Sequence, residues 1–435
     1  MAEERPVYAE AEIRLWGTTV GALVELETGR IIFEYSDDFR RRGLEISPIH
    51  LPTRLAGPLS FDALRRLPAF LGLPGVFSDA LPDAFGRSVI RAYYETRGES
   101  RRAFSPVHQL LYVGERALGA LSFHPAEEAP TRPGEQEAME VQALAHDARR
   151  IVQGEVEVAI PEIYRIGSSA GGQRPKAIVL FDPESRTIRS GGAPAGAGEV
   201  PCIVKFDGVG GEKGVEALGP PQHFNRVEAA YRDMAVAAGV EMGAIDVLEI
   251  EGYVHLLVHR FDIRGGGRLH QHTFGGMIHV DYNEPGASSY EEYFRTVLRL
   301  GMAYDSLRQA FQRMVFNVMA INQDDHVKNL SFHMDPSGRW ALTPAYDVTF
   351  AYGEGWTRTH QLRIRDRTTG TREAGLVGLA RDFGIKKPQR LLERARSAIA
   401  DWERFAGTYG VPARAVKAIR RALNTRDAEI KGEAG

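Results

Sequence analysis

The chain has 435 residues, of which 43% are hydrophobic, enough for a buried core and for two or three domains. Its formal net charge of −3 gives no global basic field for nucleic acid. The single cysteine, Cys202, excludes an internal disulfide framework and fits a reducing cytoplasm; no apolar run approaches the ~20 residues of a membrane span, and the start Met-Ala-Glu-Glu-Arg-Pro lacks the apolar stretch of a signal peptide.

Residues 8–34 alternate apolar and polar, as in Ala11-Glu12-Ile13-Arg14-Leu15, and the turn Glu27-Thr28-Gly29-Arg30 precedes Ile31-Ile32-Phe33, so a β-meander is predicted. Two short helices follow, around 61–71 and 81–96. Residues 125–140 are acidic and proline-bearing and read as an interdomain connection. From 160 to 262 the pattern is mixed α/β. Strands are predicted at 176–181 and 201–206, and a flexible loop at 190–199 separates them. A helix is predicted from about 224 to 238, with Val227, Ala230, Tyr231, Met234 and Ala238 at helical spacing and Gly239 as its stop. Glu251-Gly252 joins two apolar runs as a hairpin. Beyond 285 the pattern is helical. Ser288-Ser289 before Glu291-Glu292 is a capping signal, Leu307, Phe311, Met314, Val315 and Val318 form an inward stripe, and 387–431 reads as amphipathic helices. Cys202, inside Val200-Pro201-Cys202-Ile203-Val204, reads as a small core residue.

Four pieces carry chemistry. In "NQDDHVKNLSF" (322–332), Asp324 and Asn329 stand five apart on a loop after an apolar helix. That spacing suits phosphoryl transfer from ATP, with the aspartate accepting a hydroxyl proton and the carboxamide oxygen facing Mg²⁺. In "LTPAYDVTF" (342–350), Asp347 sits among apolar residues and needs a cation, which a Mg²⁺ shared with Asn329 supplies. Lys205, in "PCIVKFD", points off the strand face opposite Cys202, Val204 and Phe206 and needs an anion; Glu228 on the following helix is placed to hold it. In "IGSSAGGQRPKAIV" (166–179), Gly171 and Gly172 permit close backbone approach to phosphate, and Lys176 opens the next strand. Taken singly, each piece is equally a helix cap, a glycine turn or a surface lysine. Their order is that of a kinase: glycine loop, strand lysine, helix glutamate, hairpin, D-x-x-x-x-N and strand-borne aspartate.

With "SSAGGQRPKAIV", "IVKFD", "VHRFD", "LHQHTFGG", "NQDDHVKNLSF" and "LTPAYDVT" in that order, the chain resembles the HipA-like serine/threonine kinases, the toxins of bacterial type II toxin–antitoxin modules. The resemblance implies an α+β, two-lobed, protein-kinase-like fold. Its expected parts are a β-rich N-terminal subdomain over 1–125, a connection over 126–150, an α/β nucleotide lobe over 151–262 and an all-helical catalytic lobe over 263–435. It implies Asp324 as catalytic base, Asn329 and Asp347 as Mg²⁺ ligands, and Lys205 as the phosphate-binding lysine. Further ATP contacts fall to Gly171, Gly172, Gln173, Arg174, Pro175 and Lys176 in the loop, to His259, Arg260 and Phe261 at the hinge, and to His326, Val327, Lys328 and Tyr346. A regulatory serine seven residues before Lys176 is Ser169, with Ser168 one residue away. The implied partners are a protein substrate of the translation machinery, such as an aminoacyl-tRNA synthetase, and a helix-turn-helix antitoxin of the HipB kind through which DNA is reached. The setting is cytoplasmic, with no membrane.

Two positions depart from the pattern. His259 stands where an acidic residue can occur. Asp325 directly follows the expected base, as either a substrate-side contact or a rival for that role. Two other readings stay open. One is a kinase-like scaffold acting as corepressor with the antitoxin. The other is a metal-dependent phosphohydrolase built on Asp324, Asp325 and His326, with His270 and His272 as further ligands.

Overall fold

The computed structural model describes residues 6–127, 144–146, 148–150, 176–191, 195–209 and 222–432. The meander forms as the alternation predicts. Strands β1 (Val7–Leu15), β2 (Thr18–Leu26) and β3 (Ile31–Tyr35) pair antiparallel, and β4 (Leu121–His124) closes the other edge of β1 in the order β3-β2-β1-β4. Ala11, Ile13 and Leu15 turn inward, while Glu12 and Arg14 meet outside at 3.0 Å. The helix expected at 61–71 is only the 3₁₀ turn Asp62–Arg66, because Leu67, which precedes Pro68, is held extended. The second is a full helix, Ala84–Thr96, with Asp83 as its N-cap accepting from the Gly86 N–H at 2.8 Å.

The five-stranded sheet has the order β6-β5-β7-β9-β8, all antiparallel: β5 (Lys176–Asp182), β6 (Thr187–Ser190), β7 (Val200–Lys205), β8 (Ile245–Ile250) and β9 (Tyr253–His259). Cys202, Val204 and Phe206 face its apolar side with Ala177, Val179 and Leu257. That core is completed by Phe85, Val89, Tyr93 and Tyr94 from helix Ala84–Thr96 and by Leu144, Ala145 and Ala148. Burial pushes the Cys202 thiol up to about 12, so it is an unreactive core side chain.

The last lobe is a helical core. Helices Tyr290–Arg299 and Tyr304–Met319 pack with Phe224–Ala237, Pro388–Ala400, Trp402–Thr408 and Ala413–Lys431. The Ser289 hydroxyl caps its helix by accepting from the Glu292 N–H at 3.2 Å. The lobe departs from all-helical by the short hairpin β10 (Ile263–Arg264) and β11 (Gly267–Arg268) and by a three-stranded sheet. In that sheet β13 (Ser331–Met334) lies between β12 (His270–Thr273) and β14 (Trp340–Leu342). The short loop before β13 therefore hangs between a buried helix and a sheet, which fixes both of its ends. Among the described residues no helix is long and apolar enough to cross a membrane.

Candidate active site

Lys176 on β5 and Lys205 on β7 are directly opposite each other in the strand register, and both are buried. Two ammonium groups in that arrangement repel, so carboxylates must meet them. Lys205 Nζ donates to Glu228, from helix Phe224–Ala237, and to Asp347 Oδ1 at 2.5 Å. Burial alone would depress the Lys205 ammonium; Asp347 and Glu228 outweigh it and raise its pKa. Burial opposes charge on Asp347 as well, but Lys205 and then Lys176 bring it down to about 2. Lys176 Nζ lies 3.9 Å from Asp83 Oδ2, a carboxylate from the N-terminal part of the chain. The Asn225 carboxamide fastens helix Phe224–Ala237 to the sheet, donating to the carbonyls of Lys205 (3.0 Å) and Val254 (2.8 Å).

The loop at 322–330 begins with a strained residue. Ile321, buried and β-branched, adopts φ +55° at the end of helix Tyr304–Met319. It is held there from both sides. The Asn322 N–H donates to the Asn317 carbonyl at 2.9 Å, and the Ala351 N–H to the Ile321 carbonyl at 3.0 Å. Asp324 is half-buried, and its Oδ1 accepts from the Trp356 indole at 2.9 Å. Burial raises its pKa, with Asp347 and Asp325 adding to the rise and His326 and the indole opposing it. His326 Nε2 lies 4.0 Å from Asp324 Oδ1, and burial holds that imidazole below its usual range, hence neutral near pH 7. The Asn329 amide nitrogen donates to the Asp324 carbonyl at 2.8 Å, which leaves its oxygen without a donor among the described residues.

Asp325 faces the other way. Fully buried, it accepts from Tyr290 OH (2.7 Å) and the Gln361 N–H (2.8 Å) and lies 2.9 Å from His360 Nδ1. It ties the loop to the helical core and makes no approach to the cleft. Of the residues expected to border nucleotide, two also turn away. The 3₁₀ turn Val327–Asn329 presses Val327 against Gly275, and Lys328 lies over the Tyr282 ring at 5.3 Å, facing the N-terminal subdomain. The Lys328 carbonyl accepts from Tyr346 OH at 2.8 Å.

A cleft does gather Lys176, Lys205, His259, Arg260, Phe261, Tyr346 and Asp347. Phe261 and Tyr346 stack at 5.7 Å, and Asp347 takes φ +52°, which suits a short polar side chain. At the hinge the side chains are occupied. His259 Nε2 lies 2.7 Å from Asp246 Oδ2, and Arg260 forms a two-pronged pair with Asp262. Apolar walls come from Ile203 and Val258, beside the lysine and hinge residues of their motifs, and from Leu118, which no motif marked. Ser168, Ser169, Gly171, Gly172, Gln173, Arg174 and Pro175 lie outside the described residues.

The donor set fits Mg²⁺: one oriented carboxamide oxygen and one carboxylate are hard oxygen ligands of the kind that ion shares with phosphates. It does not fit a histidine-rich metal centre. His272 is spent on Asp79 (2.6 Å) and Ser47 (3.1 Å), His270 meets the Ile46 carbonyl at 2.8 Å, and both are fully buried away from Asp324. Among the described residues no three His, Cys, Asp or Glu side chains converge as a metal cluster.

Comparison with known proteins bears on the family and the fold. Residues 168–428 match the model of the HipA-like C-terminal domain and residues 11–124 that of the HipA N-terminal domain. A Sinorhizobium fredii protein named "Putative kinase Y4dM" is 24% identical over 429 residues, covering 92% of each chain. The HipA chain from the Shewanella oneidensis complex of HipA, HipB and operator DNA superposes with a TM-score of 0.66 at 19% identity, over 96% of both chains, and so shares the fold. With both domain models matched in order across its length, this chain belongs to the HipA family.

Proposed function

We propose that the chain is an ATP-dependent serine/threonine protein kinase that acts in the cytoplasm as a growth-arrest toxin. The observation that carries this reading is the facing pair Lys176 and Lys205, set against Asp347 and close to the loop that bears Asp324 and Asn329. Two buried ammonium groups in register, each beside a carboxylate, are placed to reach one polyanion together, and a triphosphate is one. Asp324, its pKa raised by burial, accepts the proton of the substrate hydroxyl. Asn329 and Asp347 hold Mg²⁺, whose charge offsets that of the phosphate oxygens. Phe261 and Tyr346 border the base, with Ile203 and Val258 as apolar walls. Phosphorylation of Ser169, or of Ser168 beside it, places roughly two negative charges in the phosphate loop and shuts the site. The protein target belongs to the translation machinery, with aminoacyl-tRNA synthetases the favoured class. A HipB-like helix-turn-helix antitoxin is the partner through which the chain meets DNA.

The test is transfer of radiolabel from ATP by the wild type and by Asp324→Asn, to the protein itself and to a cell extract. The expected loss is about 10²–10⁴-fold. Equal labelling by the two proteins removes Asp324 from the role of base.

A further inference from the structure

Beside the loop lies a second cavity, of about 880 Å³, which the phosphate chemistry does not use. Its lining is basic: Arg358, Arg365, Arg367, Arg372 and Arg426 against one carboxylate, Glu429. Arg365 is neutralised by Asp382, and Arg426 lies 3.5 Å from Glu429. Arg358, Arg367 and Arg372 are exposed and form no side-chain ion pair or hydrogen bond with any described residue. Three guanidinium groups on one concave wall repel one another and gain from an anion that reaches several of them.

The cavity is built onto the catalytic loop. Gln323, the residue before Asp324, lines it. With its amide turned as its neighbours require, Gln323 accepts from Arg426 Nη2 at 3.2 Å and donates to the Thr357 carbonyl at 2.8 Å. Trp356, next to Thr357, is the residue whose indole holds Asp324. The wall 352–372 is thus the stretch that follows Asp347, tied back to the loop by the Gln323 N–H to the Ala351 carbonyl at 3.0 Å. At the rim Tyr352 is 60% exposed, an aromatic face that gains from being covered. The positive charge is local, because the chain as a whole carries −3. That favours a short acidic peptide over a nucleic acid, which needs a broad basic surface.

We propose that this cavity docks the protein substrate, and that it selects segments with aspartate or glutamate side chains flanking the acceptor hydroxyl. The inference rests on the kinase reading, and its test is a binding measurement that does not need turnover. A fluorescein-labelled serine peptide flanked by glutamates is titrated with the full chain at low and moderate salt, and its anisotropy is read. Expected is binding to the wild type that weakens with salt and falls about tenfold in the triple variant Arg358→Ala, Arg367→Ala, Arg372→Ala, with an unchanged unfolding midpoint. The charge-reversed triple variant, with glutamate at the three positions, is expected to prefer a lysine-flanked peptide. Equal binding by wild type and alanine variant overturns the proposal, as does binding of a labelled uridine oligonucleotide to the wild type with no binding of the peptide. If the peptide binds as expected but is never phosphorylated, the docking site stands and the kinase reading fails.

Discussion

Asp325 spends both carboxylate oxygens on Tyr290, His360 and the Gln361 backbone, whereas Asp324 turns one oxygen to an indole and stays half open to the cleft. The two residues are therefore separable by experiment. Asp325→Ala leaves three buried polar groups without their partner and is expected to lower stability by about 3 kcal/mol, read as a shift in the urea midpoint. A mutant of unchanged stability with altered peptide preference would return Asp325 to the substrate side. Asp324 is expected to set an acid limb in the rate profile. Its pKa is raised, so activity is present above that pKa and is lost as pH falls through it, at a pH higher than for an ordinary aspartate. The Trp356 N–H favours the charged carboxylate; Trp356→Phe removes it and is expected to move the limb of kcat/KM to higher pH, leaving the plateau alone. A limb that stays put or moves down contradicts the assignment. The spacing D-x-x-x-x-N singled out Asp324 and Asn329, but a sequence does not say which way adjacent side chains point. Trp356, thirty-two residues downstream, carried no local signal at all.

At the scale of elements, the segments legible in the sequence were those whose period is set by one buried face. The meander, the hairpin at Glu251-Gly252 and the stripe on helix Tyr304–Met319 are of this kind. What pattern could not reveal is packing between distant segments. The "TFGG" stretch is an example. A Cβ on Gly75 would come 2.0 Å from the Gly276 carbonyl oxygen, and one on Gly276 would come 2.5 Å from Asp79. These glycines let helix Gly75–Ser78 touch helix Phe274–Ile278 backbone to backbone. Gly75→Ala is expected to cost roughly 1–3 kcal/mol, because backbone has to move, and to raise the KM for ATP by shifting the neighbouring Asp83. An alanine variant with the wild-type midpoint would mean that the contact yields freely. The histidines of "LHQHTFGG" stood in sequence as further metal ligands of a phosphohydrolase; in the fold they pin β12 to residues 46, 47 and 79.

For the whole molecule, the two-lobed plan was legible from the order of motifs, and the partition into consecutive blocks was not. Residues 84–96 belong by sequence to the N-terminal subdomain but fill the apolar face of the five-stranded sheet. The same segment sends Asp83 to Lys176, and Asp79, from the turn before it, reaches His272 and the Thr273 backbone and hydroxyl. One stretch of about twenty residues thus touches Lys176 and the strand that pairs with the exit of the loop 322–330. Thermodynamic reciprocity gives that contact a consequence. If nucleotide favours one placement of residues 75–96 against the two lobes, then any molecule that grips the N-terminal meander and favours another placement weakens nucleotide binding. Nucleotide then weakens the grip of that molecule by the same factor, so occupancy of the cleft can be read from a surface that never touches it.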